Sequence, residues 1–140
     1  IHPRRDDLLV SIVGPGSNIL FAFVCSIAVV LLGFAGSAVN AAGSTVAIDG
    51  LEFLLKMFYG GIYLNIVLAV FNLIPVPPLD GSHVLAAFLP ARLARGYRSI
   101  GFAGILLIIF LMRVPFVSGA FRAIIEGLFS PFRAFILVFS

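Results

Sequence analysis

Between Asp7 and Asp49 the chain carries no charged side chain, a run longer than the roughly 20 apolar residues that cross a bilayer once. Such a run must be buried in lipid or in a large apolar core. Its backbone N–H and C=O groups must then pair internally, which favours the α-helix. Composition decides for lipid: 61% of the 140 residues are hydrophobic and 11% charged, against about 45–50% and about 25% in soluble domains. Mean hydropathy is +1.19. A soluble enzyme, a disordered tail and a nucleic-acid binder all need more charge than this. The 9 Lys and Arg against 6 Asp and Glu are scattered among apolar runs, so the excess bears on membrane topology and no nucleic-acid partner is expected. Cys25 stands alone. It excludes an intramolecular disulfide and a Cys-rich zinc cage, and reads as a small buried hydrophobe.

Gly14-Pro15 stands where a helix can begin, because Pro fits the first turn, so a first span is expected at 15–35. Residues 36–50, rich in Gly, Ser, Ala and Asn, read as a loop. Asp49, Glu52 and Lys56 mark the return to the interface, and the charge-free run 57–79 supplies a second span. That span should end near Ile74, since Pro75-Val76-Pro77-Pro78 removes three backbone donors. Arg92, Arg95 and Arg98 recur every third residue, on one solvated or headgroup-facing helical face. The charge-free run 99–112 can cross as a third span if Arg98 and Arg113 snorkel to opposite headgroup layers. In 119–140, Arg122, Glu126 and Arg133 fall within about 40° of one another on a helix. This segment, interrupted at Pro131, reads as an interfacial helix or as a fourth span whose polar stripe faces the bundle.

The expected fold is therefore all-α: a polytopic membrane bundle of three transmembrane helices plus an amphipathic or fourth spanning C-terminal helix, forming one domain over 1–140. With the first two spans as a hairpin, Arg4, Arg5, Arg92, Arg95 and Arg98 lie on one side and Lys56 on the other. The arginine side, with Asp80 near it, is expected to be cytoplasmic in a bacterial-type cell membrane.

Two stripes of small and amide residues suggest how the hairpin packs. Gly14, Asn18, Ala22 and Ser26 recur every fourth residue, and Gly61, Asn65, Ala69 and Asn72 do nearly the same. Small residues let backbones approach, and an Asn in hydrocarbon needs a partner, so these faces should meet. Asn72 has a further possible role, because it precedes a proline-broken backbone that is tolerated only against protein or a wet cavity. Asp80 attracts most interest. A carboxylate at membrane depth costs on the order of 2.5–3.5 kcal/mol on insertion scales, so it implies a partner, a proton or a metal, unless it merely caps a helix at the interface. His83, three residues on, could face the same way, but two ligands do not make a site and His2 belongs to no His-Glu-x-x-His pattern.

The run Asn72-Leu73-Ile74-Pro75-Val76-Pro77-Pro78-Leu79-Asp80-Gly81 resembles the Asn-Pro-Asp-Gly signature of the site-2 proteases, which are intramembrane zinc metalloproteases. Gly14-Pro15-Gly16-Ser17-Asn18 is similar to the family's Gly-Pro-x-x-Asn opening of an earlier helix, and Tyr63-Leu64-Asn65 fits the lead-in to the second motif. The resemblance weakens after Ile100. It implies a site split between helices, in which an upstream His-Glu-x-x-His supplies two zinc-binding histidines and a general-base Glu while Asp80 is the third ligand. It implies that Asn72 steadies the substrate backbone or the developing oxyanion. Gly81 would let the chain pass close to the metal. His83 matches no family ligand, which favours a supporting or interface role.

The His-Glu-x-x-His helix is the departure from the family's pattern. The opening Ile1-His2-Pro3 resembles the point just after that helix, so the chain is expected to be the C-terminal part of a longer peptidase domain. Its single zinc ion would draw two further histidines from upstream, and no catalytic residue is expected within 1–140, which alone should be inactive. The expected function is part of a zinc-dependent endopeptidase cleaving transmembrane proteins in the bilayer. The alternative is a non-catalytic membrane protein, a pseudoprotease or transporter-like subunit, whose broken helix at 75–80 lines a substrate or ion path. The oligomeric state is open.

Overall fold

A computed structural model describes residues 3–139, with side chains from Ser11 onward; His2 lies outside the described residues. Every regular element among them is helical: α1 (Pro3–Ala42), α2 (Thr45–Asn72), α3 (Gly81–Phe88), α4 (Ala91–Arg98), α5 (Ala103–Leu111) and α6 (Pro115–Phe139). The all-α expectation holds. Ser11–Ala42 and Thr45–Asn72 are long and apolar enough to cross a membrane, and α4 with α5 would add a third crossing only as a pair bent by 81°.

The expected loop at 36–50 does not exist. Helix α1 runs on through Gly36 to Ala42, because in an apolar medium each unpaired backbone group costs several kcal/mol while a helical Gly costs only about 1 kcal/mol. The turn shrinks to Gly43 and Ser44. Gly43 takes φ +66°, a conformation open to glycine, and the Ser44 hydroxyl caps α2 by accepting from Ala47 N at 3.4 Å. Pro15 and Pro131 are likewise corrected: both lie inside continuous helices rather than at a start or an interruption. The third expected span is also not one straight helix. It breaks at 99–102, where Gly101 takes φ +48°, and leaves α5 as a short apolar rod.

Helices α1 and α2 form an antiparallel hairpin, and the two small-residue stripes touch at Gly14 and Asn72, while Gly61 faces Cys25, which lies in neither stripe. Gly14, Cys25 and Gly36 lie three turns apart on α1, about 11 residues at 3.6 per turn. They face Asn72, Gly61 and Leu51 in turn. A Cβ added to Gly61 would stand 3.1 Å from Cys25 Sγ, and one on Gly36 would stand 3.7 Å from Leu51 Cδ2. Ala22, Ser26 and Ala69 are buried. The amides and hydroxyls act differently from expectation, since Asn65 Nδ2 donates to Gly61 O at 2.8 Å and Ser26 Oγ to Phe23 O at 2.7 Å. Each is satisfied within its own helix, so van der Waals contact between small residues carries the approach.

Helix α6 lays an aromatic face over the hairpin: Phe121 meets Phe71, Phe129 meets Tyr63 and Phe135 meets Phe23, at ring separations of 5.1, 6.0 and 5.7 Å. Ile125 and Ile136 join Ile62 and Ile66 in the buried cluster. Arg122, Glu126 and Arg133 are exposed. The polar stripe thus faces away from the described bundle, because the aromatic residues occupy the side that packs.

Candidate metal and substrate site

Residues 73–80 join α2 to α3 without regular structure, and each proline forces a local solution for the groups it leaves behind. Leu73 N still donates to Ala69 O and Ile74 N to Phe71 O at 3.0 Å, so α2 unwinds in one short turn. Val76 N then donates to Ile74 O at 2.8 Å and Leu79 N to Val76 O at 3.0 Å, bending the strand of prolines back on itself around a cis Pro77–Pro78 bond. Gly81 closes the bend. A Cβ there would overlap the Leu73 carbonyl oxygen and stand 2.8 Å from Ile74 O. The glycine is thus needed for passage over the Leu73–Ile74 backbone, a role its sequence context did not suggest.

This fold-back brings Asn72 and Asp80, eight positions apart, together against a residue of α1. Asn72 ends α2 and Asp80 occupies the position before α3, yet the Asp80 carboxylate makes no capping hydrogen bond. The capping alternative is therefore overturned. The carboxylate lies instead against Gly14 of α1: a Cβ on Gly14 would overlap Asp80 Oδ2, and would stand 3.4 Å from Asp80 Cγ and 4.0 Å from Asn72 Nδ2. Gly14, Asn72 and Asp80 share one small space between α1 and the loop. Packing of α3, whose Gly81, Ser82 and Ala86 are buried, against α1 holds that arrangement.

Two supports of the loop went unread in the sequence. Tyr97 Oη, on α4, donates to Pro75 O at 2.6 Å, filling an acceptor that the broken helix leaves free. Gly104, on α5, packs so closely on the Pro77 carbonyl that a Cβ would overlap its oxygen and stand 2.9 Å from Val76 Cγ1. Both join segments remote in sequence, so no local pattern marks them, although a carbonyl-rich proline turn does signal acceptors in want of donors.

A catalytic zinc site has three protein ligands and an open position. Asp80 is half-buried and uncapped, so its carboxylate fits one such ligand. Among the described residues no group of three His, Cys, Asp or Glu is placed to hold a metal, His83 and Asp80 included. The Glu52 carboxylate is taken by Lys56 at 2.5 Å and Glu126 is exposed, so neither belongs to the site.

Residues 1–115 match peptidase family M50, the site-2 protease family. A relative from Bacillus subtilis (strain 168), named "Putative zinc metalloprotease YwhC", is 42% identical over 88 residues, which cover 63% of this chain and 37% of the relative. The matched stretch thus spans well under half of that protein. No solved structure matches the chain. With Gly14, Asn72 and Asp80 gathered at a broken membrane helix and the family match running through all three, the chain belongs to peptidase family M50.

Proposed function

We propose that this chain is part of the membrane-embedded domain of a zinc-dependent endopeptidase that cleaves transmembrane proteins within the bilayer. The convergence of the Asp80 carboxylate and the Asn72 amide at Gly14 carries this reading. Asp80 would hold the zinc, and two histidines with a general-base Glu would come from residues N-terminal to these. The resemblance to the site-2 proteases supplies the identity of these groups, and the need for further ligands follows because one carboxylate alone binds the ion too weakly. Zinc bound there would polarise the scissile carbonyl and make water nucleophilic near neutral pH.

The chain's own residues then have separable tasks. Asp80 supplies the carboxylate at the site, held in place by the Gly81 fold-back and unopposed by any side chain on Gly14. Asn72 offers an Nδ2 donor, preorganised at the helix end, to a substrate carbonyl or the oxyanion that develops from it. Arg4, Arg5, Arg92, Arg95 and Arg98 would set this end of the hairpin on the cytoplasmic side.

Cleavage of a transmembrane peptide by the full-length protein in detergent tests the proposal. Activity should vanish with a zinc chelator and return with zinc. Asp80→Ala should abolish it. Asn72→Ala should keep the metal and lose about 10²–10³ in turnover, the usual cost of an oxyanion donor. Unchanged cleavage by Asp80→Ala would refute the assignment.

A further inference from the structure

The apolar sequence from 99 to 121 carries one charged side chain, Arg113, set between α5 and α6. No Asp or Glu occurs between Asp80 and Glu126. Among the described residues no ion pair or side-chain hydrogen bond engages the exposed Arg113 guanidinium. A cation among residues as apolar as these needs an anion or water beside it, and a long basic side chain reaches for the headgroup layer to find one.

The space beside Arg113 is apolar and comes in two parts. A cavity of about 500 Å³ is lined by Arg113, by Phe71 and Leu79 on either side of the proline loop, and by Ile105 and Ile109 of α5. A second, of about 340 Å³, lies against Ile74, Phe116 and Ala120. Ile108 and Met112 belong to the walls of both, so the two cavities adjoin. Ile109 and Phe116 are 56% and 83% exposed, which leaves each cavity open at the outside of the bundle. Among the described residues, Arg113 is the one polar side chain that lines either. A polar ligand seated here would leave its groups unpaired at a cost, whereas an acyl chain has none to pair. Two apolar cavities with a common wall and one guanidinium beside them match a two-chain lipid, and the guanidinium fork matches the oxygens of its phosphate.

We propose that the paired cavities between the proline loop, α5 and α6 seat one anionic phospholipid, with an acyl chain in each cavity and the phosphate on Arg113. The seat needs no zinc and does not depend on peptidase activity.

Photolabelling of the full-length protein in phosphatidylcholine nanodiscs tests it, with phosphatidylglycerol carrying a diazirine on an acyl chain as the probe and adducts mapped by mass spectrometry. Adducts should concentrate within 105–120 and saturate with probe. They should exceed those from phosphatidylcholine bearing the same diazirine about fivefold, the usual weight of one basic group near an anionic surface. Arg113→Gln should remove that preference, while Arg133→Gln, at an exposed arginine that lines neither cavity, should leave it. Arg113→Lys should keep it, which covers the case in which the Gln variant fails to fold. Ala120→Phe, which narrows the second cavity, should lower the adducts of the two-chain probe and spare those of its one-chain lysolipid form. Equal labelling by the two headgroups, or a preference that survives Arg113→Gln, would overturn the seat. So would an equal loss from Arg133→Gln, the mark of diffuse surface charge, or a loss from Arg113→Lys as large as that from Arg113→Gln. Unchanged two-chain labelling in Ala120→Phe would overturn the second cavity as part of it, and displacement of the probe by millimolar inorganic phosphate would overturn the lipid as occupant.

Discussion

The hairpin of α1 and α2 and the proline-broken limb from Leu73 to α5 use glycine for opposite ends. In the hairpin, Gly61 admits a neighbouring side chain, and a regular antiparallel register repeats every three turns. In the limb, Gly81 and Gly104 admit backbone carbonyls, and nothing repeats. A regular seam can satisfy its polar groups within each helix, as Asn65 and Ser26 do. A broken limb must borrow donors from elsewhere, as Pro75 borrows the Tyr97 hydroxyl. Gly14 belongs to both regions, since it stands on a regular helix and leaves room for a group on the broken limb.

The comparison breaks most visibly at Gly14. In the full-length protein, Gly14→Val should displace the Asp80 carboxylate and cut peptidase turnover by at least about 10²-fold, since small misplacements of a site cost that much. Gly16→Ala, two positions from Gly14 with open space around its Cβ, should leave turnover unchanged. Next in size is Gly104→Ala, where the new methyl meets backbone that cannot swing aside. Overpacking of this kind costs about 1–3 kcal/mol, read as an earlier midpoint in denaturant titration. Tyr97→Phe should cost about 0.5–1.5 kcal/mol, the net worth of one hydrogen bond, and should speed proteolysis at 73–80 with little change elsewhere. Smallest is Gly61→Ala, where Cys25 Sγ needs to give only a few tenths of an ångström. Its modest loss in stability should shrink in the Cys25→Ala background, and additive effects would break the proposed register.

Much of this architecture was legible in the sequence because the membrane imposes one backbone solution on long apolar runs. That rule was stronger than local composition: 36–50 carries the residues of a loop and is helical except at Gly43 and Ser44, and Pro15 and Pro131 sit inside helices they were expected to start or interrupt. The Asn72 to Asp80 motif was legible as a broken helix with a costly carboxylate. That its carboxylate lies against Gly14 was not, since Gly14 read as a helix start, as part of a packing stripe and as the opening of the Gly-Pro-x-x-Asn motif, none of which points to a carboxylate. Long-range contacts such as Tyr97 to Pro75 depend on where α4 is carried by the bends at 89–90 and 99–102, and no periodicity encodes those directions.

The zinc content of the purified full-length protein, compared with its Asp80→Ala and His83→Ala variants, bears most directly on Asp80 as a zinc ligand. Wild type and His83→Ala should each hold about one zinc per chain, with Asp80→Ala well below that and all three inserted in the membrane alike. Retention of a full complement of zinc by Asp80→Ala, or its loss from His83→Ala alone, would contradict the assignment.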